Sequence, residues 1–142
     1  MPYSLPYIYI RGRVTQGRGE SADYLKKDGY RNQFREKLDI DPVHGTLNLK
    51  LDDDNEKNHK DITWHEGVWI EGFEEDGEVH GAAEVYPAEI RGVKCAVVIP
   101  EERETYRIME VVANTLLRDH LYLEEGDIVD VKVFVDLDES WL

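Results

Sequence analysis

The chain has 142 residues with 31 acidic and 17 basic side chains, a formal charge of −14 at pH 7. One domain is expected, because a chain of this length buries roughly two thirds of its unfolded surface and two full domains would be cramped. The charge disfavours duplex nucleic acid, the longest apolar stretch (residues 95–99) is too short to span a bilayer, no signal peptide is expected, and the single cysteine, Cys95, points to a reducing cytoplasm.

At period two, Ile8, Ile10, Gly12 and Val14 share one face and Tyr7, Tyr9, Arg11 and Arg13 the other, which predicts a strand. It runs into Gly12-Arg13-Val14-Thr15-Gln16-Gly17-Arg18-Gly19-Glu20, which lacks the Lys and Ser/Thr of a Walker loop. What remains is a glycine-rich turn flanked by Arg13 and Arg18, whose backbone N–H groups could approach a phosphate. Arg11, Arg13 and Arg18 precede the first acidic residue, so this end is a local exception to the acidity. A plain turn, with arginines balancing an acidic surface, is the alternative. Tyr30, Phe34 and Leu38 fall at i, i+4, i+8 and predict a helix.

Residues 46–51 alternate cleanly, with Leu47, Leu49 and Leu51 on one face and Thr46, Asn48 and Lys50 on the other. The Thr46 hydroxyl and the Asn48 amide oxygen are then neighbours. Such a neutral pair suits magnesium, which takes few protein ligands and completes its octahedron with water and substrate phosphates; the alternative is the exposed face of a half-buried strand. Residues 52–61 are almost wholly polar and read as a solvated loop, since an EF-hand started at Asp52 puts Lys57 where glycine is needed and Thr63 where glutamate belongs. Residues 67–73 and 78–90 read as strands about an Asp76-Gly77 hairpin turn, and residues 93–99 as a buried strand with Cys95 a core thiol. Ile108, Val111, Val112, Thr115 and Leu116 match one buried helical face and predict a second helix, with Arg118 and His120 in its last turn. The final strand, residues 129–137, turns Val129, Val131, Val133, Val135 and Leu137 inward. The histidines, at 44, 59, 65, 80 and 120, form no zinc motif, and His65 and His80 are expected on the surface. About six strands and two helices suggest a mainly β fold, a small closed barrel with helices at its ends.

GRVTQGRGE at 12–20, YRNQFREKL at 30–38, HGTLNLKL at 44–51, PAEI at 87–90, ETY at 104–106 and MEVVANTLLRDHLYLEEGDIV at 109–129 together resemble the archaeal CTP-dependent riboflavin kinases, in order and over most of the chain. The resemblance implies a six-stranded cradle-loop (RIFT-like) β-barrel with two or more short helices, covering residues 1–142 as one domain. It implies transfer of phosphate from CTP to the riboflavin 5′-hydroxyl, giving FMN and CDP. Carried over, Gly12, Arg13, Val14, Thr15, Gln16, Gly17 and Arg18 with Thr115, Leu116, Leu117 and Arg118 hold the nucleotide. Thr46 and Asn48 bind one Mg2+ between protein and phosphates. Thr105 and Glu110 contact the flavin or its phosphate, with Glu110 the catalytic candidate for orienting or deprotonating the hydroxyl. Arg13, Arg18, Lys50 and Arg118 are available to neutralise phosphate charge. The chain departs from the family pattern at Ser21, where the first loop often continues as GEG, and at Asn114, where proline is usual.

The expected partners are riboflavin and CTP, with neither nucleic acid nor membrane, in a cytoplasmic monomer. The rival readings are a noncatalytic flavin- or nucleotide-binding barrel and a partner-binding module using Trp64, Trp69 and Trp141.

Overall fold

The computed structural model describes residues 7–16, 25–42, 45–103 and 105–135. In chain order these form β1 (Tyr7–Thr15), α1 (Asp28–Leu38), β2 (Thr46–Lys50), α2 (Asp53–Asp61), a 3-10 turn (Ile62–Trp64), β3 (Val68–Ile70), β4 (Phe73–Glu75), β5 (Glu78–His80), β6 (Ala83–Ile90), β7 (Val93–Pro100), β8 (Ile108–Ala113), α3 (Leu117–His120) and β9 (Ile128–Phe134). The sheet runs β6-β7-β8-β2-β1-β9, every neighbour antiparallel, and closes where β9 pairs with β6 at Val133–Ala88 and Lys132–Glu89. The result is a six-stranded barrel, the mainly β architecture expected. β3 extends the sheet beyond β6, and β4 and β5 form a separate hairpin whose turn residues Asp76 and Gly77 both have positive φ (53° and 79°), as a type I′ turn requires.

Two apolar layers hold the fold. Inside the barrel, Ile10, Leu47, Leu49, Tyr86, Val97, Met109, Val111, Val131 and Val133 pack with Cys95, whose thiol burial pushes up to about 12. Outside it, Phe34 and Leu38 of α1 cover Val85, Ala96, Val98 and Val112, so β6, β7 and β8 are buried on both faces along much of their length. Polar straps hold the helix in place. Lys37 Nζ donates to Trp69 O (2.8 Å), and Gln33 both donates to Glu71 O (2.9 Å) and accepts from Glu71 N (2.7 Å). Among the described residues no helix is long and apolar enough to cross a membrane.

The structure corrects three expectations. The helix read into 108–116 is strand β8 as far as Ala113. Met109, Val111 and Ala113 fill the barrel while Val112 lies under α1, and apolar residues on both faces of a strand imitate helical spacing. The loop read into 52–61 is helix α2. The Asp52 carboxylate caps it by accepting from Asn55 N (2.9 Å), acidic residues fill its first turn and a Lys57–Asp61 pair spans its last. Its one buried residue is a histidine, His59, so no apolar stripe announced the helix. His80, expected on the surface, is buried at 5% exposure, packed against Phe73 (ring centroids 4.8 Å).

His59 shows how a polar helix docks. Its Nδ1 donates to Tyr106 O (2.7 Å) and its ring meets the Tyr106 ring edge-on at 5.5 Å. Nε2 is buried with no partner among the described residues. Burial pulls the imidazole down to about 4 from 6.5, nearby Arg103 adds to the shift and Glu56 opposes it. The unfolded chain therefore takes up a proton near pH 6.5 that the folded chain refuses until about pH 4. Stability held above pH 6.5 is lost as the pH falls towards 4, at roughly 1.4 kcal/mol per pH unit. Urea melts from pH 7 to pH 4 should show this loss in the wild type and a smaller one in His59→Asn, the difference between the two isolating the histidine from the carboxylates.

Candidate functional site

The site is a grid on the outer face of β1, β2 and β8. Alternation along β2 sends Leu47 and Leu49 into the barrel and leaves Thr46, Asn48 and Lys50 on the other side. Register then supplies the neighbours. Thr15 on β1 and Glu110 on β8 stand directly opposite Asn48, and Val98 on β7 continues the row beyond Glu110. One step along, Arg13 pairs with Lys50. Directly opposed side chains have Cβ atoms about 4.5–5.5 Å apart, so Thr15, Asn48 and Glu110 share one patch with Thr46 and Lys50 beside them.

Asn48 stands out chemically. It is only 8% exposed, yet its carboxamide has no hydrogen-bond partner among the described residues. Its polar atoms are not sealed from solvent, so the carboxamide is open to water or a ligand at the edge of the sheet. Arg13 and Lys50 add a tension, since like charges directly opposite on a sheet repel. Arg13 Nη1 donates to Gly126 O (3.0 Å), and the exposed Lys50 ammonium has no partner among the described residues. A ligand bearing negative charge and oxygen atoms suits both.

Beyond Glu110 the grid opens into a cavity of about 410 Å³ between α1, the β4–β5 hairpin and the ends of β6 and β7. Tyr30, Phe34 and His80 give it aromatic walls, Val98 and Ala83 its floor, and Pro100 and Glu102 one rim. The Tyr30 ring meets Phe73 edge-on at 4.7 Å and its hydroxyl donates to Gly81 O (2.5 Å). The wall is therefore rigid. These residues were missed as site residues: Tyr30 and Phe34 read only as a helix's buried face, and His80 ends a three-residue strand too short to show alternation.

The two stretches expected to hold a nucleotide meet at one end of the barrel. The turn at residues 123–127 knits them: Leu123 N donates to Arg118 O, Gly126 N to Val14 O, and Val14 N to Asp127 O, each at 2.8 Å. Within these stretches the structure divides the residues. Gly12 pairs with Val129 in mid-strand, where a Cβ would meet Leu49 Cβ at 2.7 Å, so this glycine serves close packing within the barrel and not a turn. Val14 and Leu117 are core side chains. Gly12, Val14 and Leu117 therefore offer a ligand no side chain. Arg13, Thr15, Gln16, Thr115, Leu116 and Arg118 keep exposed or part-exposed side chains, whereas Gly17 and Arg18 lie outside the described residues. Thr105 is not brought to the cavity. Its hydroxyl donates to Glu56 on α2 (3.3 Å) and accepts from Arg107 N (2.9 Å).

Residues 14–133, which contain β2 to β8 whole, most of β9 and the last two residues of β1, match the model of the CTP-dependent riboflavin kinase domain, described as domain of unknown function DUF120. The chain belongs to this family. It is 39% identical over 130 residues to a riboflavin kinase of Archaeoglobus fulgidus, covering 90% of this chain and 55% of that protein. Against the riboflavin kinase of Thermoplasma acidophilum it is 35% identical, covering 89% of this chain and 58% of that protein. Against that of Ignicoccus hospitalis it is 38% identical, covering 89% and 72%. The chain thus spans little more than half the length of the first two relatives.

The two faces of β2 predict different responses. Asn48→Leu removes an amide that makes no hydrogen bond to the described residues and should change stability by no more than about 1 kcal/mol. Leu47→Ala empties part of the barrel and should cost roughly 2–5 kcal/mol. Thermal or urea melts of both variants distinguish them.

Proposed function

We propose that the chain carries out its family's reaction, transfer of the γ-phosphoryl group of CTP to the riboflavin 5′-hydroxyl. A new P–O bond forms to the flavin oxygen, the β–γ bridge bond breaks, and the hydroxyl proton is released, leaving FMN and CDP. The observation that carries this reading is the pairing of Asn48 with Glu110: an unpartnered, nearly buried amide opposite a carboxylate that also lines an aromatic cavity. A flat, largely apolar ring system suits walls made of Tyr30, Phe34 and His80. A polyol chain leaving the cavity past Glu110 then ends beside Asn48.

The donor set fits a magnesium ion. Among the described residues no three His, Cys, Asp or Glu side chains cluster as a metal set, so a cation here relies on the Thr46 hydroxyl, the Asn48 amide oxygen, water and phosphate, which is magnesium's habit with nucleotides. When bound, it neutralises charge spreading over the transferring phosphoryl group. The chain's own side chains do the rest. Arg13 and Lys50 attract the phosphates, Thr15, Gln16, Thr115 and Arg118 line the end of the barrel where the nucleotide is held, and Glu110 orients the hydroxyl and accepts its proton. Backbone groups at residues 115–117 are the readers of the cytosine edge, and Thr105 serves the flavin phosphate only after exchanging its bond to Glu56.

Purified protein with riboflavin, magnesium and either CTP or ATP, followed by chromatography, tests the reading. FMN should form with CTP and poorly with ATP. Flavin binding without turnover on any nucleotide would establish the noncatalytic barrel instead. Thr46→Val and Asn48→Leu should each lower magnesium-dependent kcat by about 100-fold, close to 3 kcal/mol of barrier. Glu110→Gln should lower kcat or raise the riboflavin KM with CDP affinity intact; equal loss of CDP binding would move Glu110 to the nucleotide subsite.

A further inference from the structure

The connection between β7 and β8 forms the cavity rim at Pro100 and Glu102; β6 holds its near end, with Pro100 opposite Ala83 and Glu101 N donating to Ala82 O (2.9 Å), and what holds its far end lies outside the cavity. α2 grips it twice. One grip is ionic and largely exposed: Arg107 Nη2 meets Asp53 (2.8 Å) and Glu56 (3.1 Å), while Nη1 donates to Leu51 O (3.0 Å). The other is buried: His59 Nδ1 donates to Tyr106 O, and the imidazole edge packs on the Tyr106 ring, which itself rests on the barrel core. From Tyr106 the contacts run on to the rim. The Arg103 guanidinium lies over the Tyr106 ring at 4.1 Å and donates to Pro100 O (3.2 Å) and Glu101 O (3.1 Å). An exposed ion pair adds little and is screened by salt, so of the two grips the buried histidine is the firmer hold on the far end of the connection, from Arg103 to Tyr106.

We propose that His59 is a positioning residue for the flavin cavity: through Tyr106 and Arg103 it sets the Pro100–Glu102 rim, so that α2 determines flavin affinity without touching the flavin. This rests on the reading of the cavity as the riboflavin subsite. Among the described residues the hydrogen bonds at the nucleotide end run through Gly126 and Arg118, and α2 meets β1 through Asn55, whose Oδ1 accepts from Arg11 N (2.8 Å), not through His59. The role requires a donor at the position of Nδ1 and no more. Asparagine supplies one, because its Nδ2 stands where the histidine Nδ1 does, and alanine does not.

The test measures KM for riboflavin and for CTP in His59→Ala, His59→Asn and Arg103→Met, with limited trypsin digestion to follow cleavage after Arg107. In His59→Ala the riboflavin KM should rise about fivefold to tenfold, as for one lost buried hydrogen bond, with the CTP KM unchanged within about twofold and cleavage accelerated. His59→Asn should restore most of the riboflavin KM. Arg103→Met, an exposed substitution that spares the fold, should raise the riboflavin KM at unchanged melting temperature and carries the test alone should His59→Ala fail to fold. An unmoved riboflavin KM in these variants, or equal changes in both KM values, overturns the proposal. Wild-type protein that makes no FMN defeats the functional reading, whereas an active wild type with indifferent variants defeats this inference alone.

Discussion

Alternation along β2 and β8 ties the site to the core. Leu47 faces Val111 and Leu49 faces Met109 inside the barrel, all at 3% exposure or less, and between them Asn48 faces Glu110 on the outside. A slip of one residue would expose two leucines and bury the polar row, so the packing that makes the barrel stable also sets the register of the site. The residues around Asn48 therefore stand on a hydrogen-bonded ladder and not on loops. Under the proposed reading that rigidity matters, since groups in phosphoryl transfer act by position and charge more than by covalent chemistry.

The same strand face changes character along its length. On β8, Val112 lies under α1, Glu110 lines the cavity and Ile108 is open to solvent. The cavity exists because α1 stops covering the barrel at this point and the β4–β5 hairpin is laid against the helix. Asn114 supports the arrangement from the other side, accepting from Asp41 N (2.7 Å) and donating to Asp39 O (3.3 Å), so the end of α1 is tied to the residues that lead into Thr115. The Asn114 side chain thus joins the helix walling the cavity to the segment proposed to hold the nucleotide.

Much of this was legible in the sequence where one face of a strand is buried and the other is not. β1, β2 and β9 showed clean period-two patterns, and the Asp76-Gly77 turn was visible from its residues alone. β8 was misread because both faces are apolar near Val111 and Val112, leaving no alternation to detect. α2 was missed because the single side chain it buries is His59. The Thr46 and Asn48 pair was legible, since residues two apart on a strand point the same way. The cavity was not. It is made by Tyr30, His80 and Val98, which come from three distant segments, and no local pattern announces a surface that exists only after the helix and hairpin dock.

The family blocks that read most specifically are not the ones whose side chains face a ligand. In the stretch from Leu117 to Asp127, Leu117 and Leu123 pack into the barrel, the Asp127 carboxylate accepts from Glu124 N (2.8 Å), and Gly126 bonds to Val14. These residues build the turn that draws residues 115–118 against the end of β1. Their identities are constrained by packing and turn closure, each of which tolerates few substitutions, whereas Thr115 and Arg118 sit on the accessible side of the structure so made. Gly12 follows the same logic, its missing side chain making room for Leu49. A motif of this kind records what holds the neighbouring exposed residues in place. On the proposed reading the chemistry falls to residues the motif leaves exposed, together with the row that the register assembles around Asn48.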